Sequence, residues 1–224
     1  MNGTVKKTAS GAKEEERVAP KRPQAEGLAK GGRMNAEQVL NRLMEGNKRF
    51  LDDAMVHKTF AARREELKGG QQPFATVVSC SDSRMVPEYT FDVGLGDIFT
   101  IISAGNVVDT IAIGSIEYAV AHLHTPVVMI LGHEKCGAVT AAYDDHKEGN
   151  ITAIVEKIKP GIASVERSDD KAADVVKCAA ANVKAVMEEI MAKSEIVRKA
   201  VESGETKLVG AMYHLSDGRV ETIA

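Results

Sequence analysis

The sequence predicts an α/β fold: a central, mostly parallel β-sheet with an antiparallel edge, flanked by helices and entered through an N-terminal helical arm. Three observations carry this. Short, near-continuous apolar runs at 75–79 (ATVVS), 99–103 (FTIIS) and 127–131 (VVMIL) alternate with segments of helical period. Parallel strands buried on both faces read as unbroken apolar runs, and helices must connect them. Finally, segments 207–215 and 219–223 flank Ser216-Asp217-Gly218, a hairpin signal that adds antiparallel strands.

In chain order, residues 1–33 hold Val5, Val18 and Leu28 as their only branched aliphatic residues. So little apolar area cannot offset conformational entropy, and a flexible tail is expected there. Glu14, Glu15 and Glu16 interrupt its basic residues and weaken a transit-peptide reading. A single domain is expected over 34–224, with a helical arm over about 35–68. Asn35 with Gln38 resembles a capping box, and Val39, Leu40, Leu43, Met44, Phe50 and Leu51 follow at helical spacing. A second helix over 61–68 stops at Gly69-Gly70. Further helices are expected over 110–124, from Cys136 to Tyr143, over 151–165 and over 172–203. The last carries Val175, Val176, Val183, Met187 and Ile190 on one face and ends at Gly204.

The composition is that of an ordinary soluble domain: 224 residues, 44% hydrophobic, 27% charged. A formal net charge of -3 supplies no pull toward nucleic acid or acidic membrane. No apolar stretch approaches the roughly 18 to 20 residues of a bilayer span. Cys80, Cys136 and Cys178 form an odd, sparse set, which suits the reducing cytoplasm better than a secreted disulfide scaffold.

Chemistry concentrates at two strand ends. CSDSR (80–84) follows the first strand, and Gly132-His133-Glu134-Lys135-Cys136-Gly137 follows the third. Functional groups gather beyond the carboxyl ends of parallel strands, so the two clusters can meet. Cys80, His133 and Cys136 together offer two thiolates and an imidazole, a donor set suited to Zn2+. Three protein donors leave one position for water, the arrangement of a catalytic site. Asp82 could fill that position in an inactive state. Alternatively, Arg84 holds its carboxylate away in a charge-assisted pair, and Asp82 accepts a hydrogen bond from metal-bound hydroxide.

Blander readings stand beside this one. Buried cysteines usually act as small hydrophobes, and a histidine at a strand end is often structural. A cysteine nucleophile with His133 as base leaves Cys136 and the Asp82–Arg84 pair without roles. His122 and His124 sit where they complement a helix dipole. His57, His146 and His214 have no donor cluster nearby in sequence, and Cys178 reads as core. Gly94-Leu95-Gly96-Asp97 lacks the third glycine of a nucleotide loop.

At these motifs, C-x-D-x-R and H-x-x-C, the sequence resembles the β-class carbonic anhydrases over about residues 35 to 223. The resemblance implies a dimeric α/β zinc enzyme, with tetramers or higher assemblies left open. Its activity would be reversible hydration of carbon dioxide to bicarbonate and a proton, with Cys80, His133 and Cys136 as ligands and Asp82 and Arg84 as catalytic residues. It further implies substrate-site roles for Gln71, Phe99, Ala104, Tyr118 and Gly137, some supplied by the partner subunit. Gln71, Phe99 and Tyr118 match the plant-type branch, and Val77 replaces the tryptophan that marks the other branch's bicarbonate site. One departure is Ile102-Ser103, where many relatives carry arginine and asparagine. Two rivals remain open: hydrolysis of carbonyl sulfide or carbon disulfide on the same scaffold, and a non-catalytic zinc protein.

Overall fold

The computed structural model describes residues 33–56 and 58–224. The segment expected to form a tail lies outside the described residues apart from Arg33, as does His57.

Helix α1 (Ala36–Leu51) begins where the sequence places it. Gln38 N donates to Asn35 Oδ1 at 2.9 Å and Asn35 N to Gln38 Oε1 at 3.0 Å, so both halves of the capping box form. Val39 and Leu43 turn into the core. A Cβ at Gly46 would stand 1.8 Å from the Phe91 carbonyl oxygen, so only glycine lets α1 lie against that backbone. Helix α2 (Phe60–Glu66) is followed by a tighter 3-10 turn at Leu67–Gly69.

The strands are β1 (Ala75–Cys80), β2 (Ile98–Ser103), β3 (Val127–His133), β4 (Lys207–Tyr213) and β5 (Val220–Thr222). Their order is β2-β1-β3-β4-β5. The first four are parallel, and β5 runs antiparallel to β4. Every residue of β1 and β3 is buried, which requires cover on both faces. β1 and β3 run past their apolar runs, so Cys80 and His133 are themselves the last strand residues. In register Cys80 pairs with Ser103 and His133 with Tyr213.

A short helix α3 (Pro87–Thr90) precedes β2, and the sequence reading does not anticipate it. Helix α4 (Thr110–Ala121) is capped by Asp109, whose Oδ1 accepts from Ala112 N at 2.8 Å. It stops short of the expected end because Leu123 N turns back to Tyr118 O and His124 adopts φ 54°. Helix α5 (Gly137–Tyr143) has Cys136 as its N-cap, and α6 (Ile151–Ile162) carries Pro160 near its end.

The single helix expected over 172–203 is two: α7 (Lys171–Lys193) and α8 (Glu195–Glu202). Ser194 breaks it. Its backbone is extended, its hydroxyl accepts from Val197 N at 3.1 Å, and the same hydroxyl donates to Glu117 Oε1 on α4 at 2.6 Å. Serine favours such caps because its oxygen replaces a helix-start partner.

Glycines let α7 press on the sheet. A Cβ at Gly132 would meet Val183 Cγ2 at 2.5 Å, and one at Gly210 would meet Val183 Cγ1 at 3.0 Å. Among the described residues no helix is long and apolar enough to cross a membrane.

Candidate metal centre

The adjacent strands β1 and β3 carry Cys80 and His133 to the same end of the sheet, and α5 starts at Cys136. Lys135, between the last two, takes a left-handed φ of 52° and folds the chain back toward Cys80. One sulfur or nitrogen from each of Cys80, His133 and Cys136 lies within 4.8 Å of the others. All three residues are buried, His133 completely.

The geometry fits zinc. The two sulfurs are 3.9 Å apart, and two sulfurs each about 2.3 Å from one ion at the tetrahedral angle stand about 3.8 Å apart. His133 Nδ1 donates to the Glu134 carbonyl at 2.7 Å. The other nitrogen, Nε2, therefore presents its lone pair, yet it is buried without any hydrogen-bond partner. An orphaned buried acceptor is costly unless a ligand completes it. Donation from one ring nitrogen to a carbonyl commonly fixes the tautomer in which the other nitrogen binds a metal.

The electrostatics agree. The hydrogen bond from Cys136 pulls the Cys80 thiol down to about 4 against its burial. The same bond, with burial, pushes Cys136 up, so the pair carries one negative charge between them. Burial alone would keep His133 neutral, but the neighbouring Cys80 raises it above its ordinary value. A divalent cation can take the place of the protons that these three groups otherwise hold between them. Gly105 N also donates to Cys80 Sγ at 3.2 Å from a turn at φ 72°, and Asn182 Nδ2 on α7 holds the Gly105 carbonyl at 2.9 Å.

Asp82 is engaged by Arg84 beside the donor set. Arg84 engages both its oxygens: Nε to Oδ1 at 2.9 Å, Nη2 to Oδ2 at 2.7 Å, with the Arg84 N–H also on Oδ1 at 3.0 Å. This pair holds the Asp82 carboxyl well below the usual carboxylate range. Its Oδ2 is 3.9 Å from His133 Nε2, next to the donor set but beyond hydrogen-bond reach.

The other expected site residues are dispersed in the single chain. Ala104 opens the 3-10 turn Ala104–Asn106 that carries the Gly105 donor, and Gly137 is the exposed first residue of α5. Gln71 is exposed in the loop before β1. Phe99 and Tyr118 pack together, ring centroids 6.3 Å apart. Phe99 pairs with Thr76, whereas Cys80 pairs with Ser103. That offset of four residues is about 13 Å along the sheet from the cysteine's level. Gly105 and Asn182 escape the sequence reading because one acts through its backbone and the other bonds to backbone.

A family model described as Carbonic anhydrase matches residues 75–220. The chain is 37% identical over 190 residues to a carbonic anhydrase of Mycolicibacterium smegmatis, covering 80% of this chain and 89% of that protein. It is 36% identical over 183 residues to carbonic anhydrase 2 of Mycobacterium tuberculosis, covering 79% and 87%. Among solved structures, a tetrameric β-carbonic anhydrase of Sordaria macrospora superposes with a TM-score of 0.67 at 24% identity, covering 83% of this chain and 94% of that one. A Coccomyxa β-carbonic anhydrase crystallised with acetazolamide gives 0.66 at 25% identity, covering 82% and 86%. With the family's sheet running from β1 to β5 and its two cysteines and histidine converging at the strand ends, this chain belongs to the β-carbonic anhydrases, whose general reaction is the hydration of carbon dioxide.

Proposed function

We propose that this chain converts carbon dioxide and water reversibly to bicarbonate and a proton, using Zn2+ held by Cys80, His133 and Cys136. Zinc in such a site supplies a nucleophile at neutral pH by lowering the pKa of water toward about 7. The observation that carries the proposal is the Asp82–Arg84 pair. Because Arg84 occupies both Asp82 oxygens, the carboxylate stays ionised and turned beside the donor set instead of closing it. A fixed anionic acceptor there orients a proton of the attacking water and takes no part in binding the ion. Gly105 N–H and the His133–Glu134 bond hold two ligands in place. Ala104 and Gly137 line the approach for carbon dioxide. Gln71, which precedes β1 and so lies even farther from Cys80 than Phe99 in the same chain, reaches it from a second copy.

Phe99 and Tyr118 complete that pocket from a second copy of the chain. Support comes from the edge they occupy: β2 ends the sheet, and Ile102, Ile111 and Tyr118 beside it are 54%, 77% and 47% exposed. An unpaired edge with apolar residues is a surface that proteins normally cover. The Sordaria macrospora relative is tetrameric. A cytoplasmic setting belongs to the same reading, since Cys80 and Cys136 hold an ion only while reduced.

The deciding experiment is a stopped-flow carbon dioxide hydration assay with metal analysis on the same sample. Activity with one zinc per chain supports the reading. Stoichiometric zinc without turnover, or turnover of carbonyl sulfide alone, overturns it.

A further inference from the structure

The turn from His133 to Cys136 carries two of the three donors, and Lys135 within it sits at a φ that non-glycine residues rarely adopt. Such a turn persists only where its surroundings hold it. Glu134 is held from three directions. Its N–H donates to Tyr213 O at 3.1 Å, one rung beyond the β3·β4 ladder. Its Oε2 accepts from Leu215 N at 3.0 Å, and its Oε1 from His214 Nδ1 at 2.8 Å. Across the ring, His214 Nε2 faces Glu221 Oε2 on β5 at 3.2 Å, and Arg219 Nη1 reaches that same oxygen at 2.9 Å. The Glu134 and His214 side chains are only 19% and 17% exposed.

The carbonyl of this same Glu134 receives the His133 Nδ1 proton. The peptide that fixes the histidine tautomer is therefore pinned, through its own side chain, to the hairpin between β4 and β5. We infer that Glu134 and His214 are positioning residues for the metal centre, and that the antiparallel edge of the sheet thereby governs how long the ion is retained. The inference rests on the zinc reading above. Neither side chain touches the donor atoms. Each acts by preventing rotation of the 134 peptide, which would remove the acceptor from His133 and relax Lys135. Loss of such outer partners typically weakens metal binding about 10- to 100-fold.

Two substitutions at one position separate this role from simple bracing of the hairpin. In His214→Asn the amide N–H stands near the place of Nδ1 and faces Glu134, whereas in His214→Gln it stands near Nε2 and faces Glu221. Zinc transfer from the full, zinc-loaded chain to a chromophoric chelator is timed, and the visible spectrum of the cobalt-loaded chain is recorded. H214Q is expected to release zinc about 10- to 100-fold faster and to shift the cobalt bands, while H214N keeps the native rate and spectrum. Equal release from H214Q, H214N and the unaltered chain overturns the inference, as does fast release from H214N alone. Should H214Q fail to fold, Glu134→Leu reads the same step, because an aliphatic side chain offers no acceptor to His214 or to Leu215 N, and a native rate there overturns the inference. An unaltered chain that takes up no zinc overturns the metal reading itself, a distinct result.

Discussion

Arg84 closes on Asp82 through two parallel bonds, Nε to Oδ1 at 2.9 Å and Nη2 to Oδ2 at 2.7 Å, while Asp82 Oδ2 stays 3.9 Å from His133 Nε2. Replacing Arg84 by alanine frees the carboxylate to swing toward the donor set. Turnover is expected to fall about 100-fold, with the metal content unchanged. Stopped-flow hydration rates beside metal analysis check this, and a variant of near-native rate would show that the pair is merely a surface ion pair.

Removing zinc with a strong chelator should abolish activity and leave both site cysteines open to alkylation, and re-adding the ion should restore the one and block the other. Mass spectrometry of alkylated peptides reads this directly. Cys178, buried on α7 away from the cluster, should respond identically with and without metal.

Gly46 packs against the backbone of Phe91, and no neighbouring side chain can move to admit a methyl group there. Gly46→Ala should cost about 3 kcal/mol. For a chain of this size that lowers the Tm by roughly 6–12 °C. A thermal melt that shifts by less than a degree would contradict the close approach of α1.

Asp92 is buried, which raises its pKa, but Arg49 Nε at 2.6 Å and Lys58 outweigh this and lower it below the ordinary 3.8. A carboxyl lowered on folding stabilises the fold fully above its unfolded value and loses that contribution as pH falls through the folded one. Asp92→Asn should therefore be less stable than the unaltered chain at neutral pH, with the gap narrowing as the pH falls below the ordinary 3.8. Urea midpoints across that range test the sign.

Ile111 is 77% exposed at the start of α4, beside the β2 edge. Ile111→Glu should leave the fold of each chain intact but shift the assembly to smaller species in sedimentation velocity. An unaltered chain that sediments as a monomer at micromolar concentration would remove the proposed second copy.

β1 and β3 are legible in the sequence because each is an unbroken apolar run between helical segments, and burial on both faces demands such a run. The donor set is equally legible: cysteine and histidine are scarce, and strand ends of a parallel sheet converge. The break at Ser194 is not, because helical period continues across it and only the Glu117 contact from α4 marks the stop. His214 shows no local signal either, as its partner Glu134 is reached only through the pairing of β3 with β4. Phe99 and Tyr118 match a family pattern in sequence, yet within one chain the sheet register sets them apart from Cys80.

β3 lies between β1 and β4 with every residue buried. Amide protons in such a strand exchange with solvent only when the whole domain opens. His133 is the last residue of this strand, whereas Cys136 is the N-cap of the seven-residue helix α5. If the ion is held as proposed, its loss should loosen the Cys136 side first, and β3 should stay as protected from deuterium in the metal-free chain as in the loaded one.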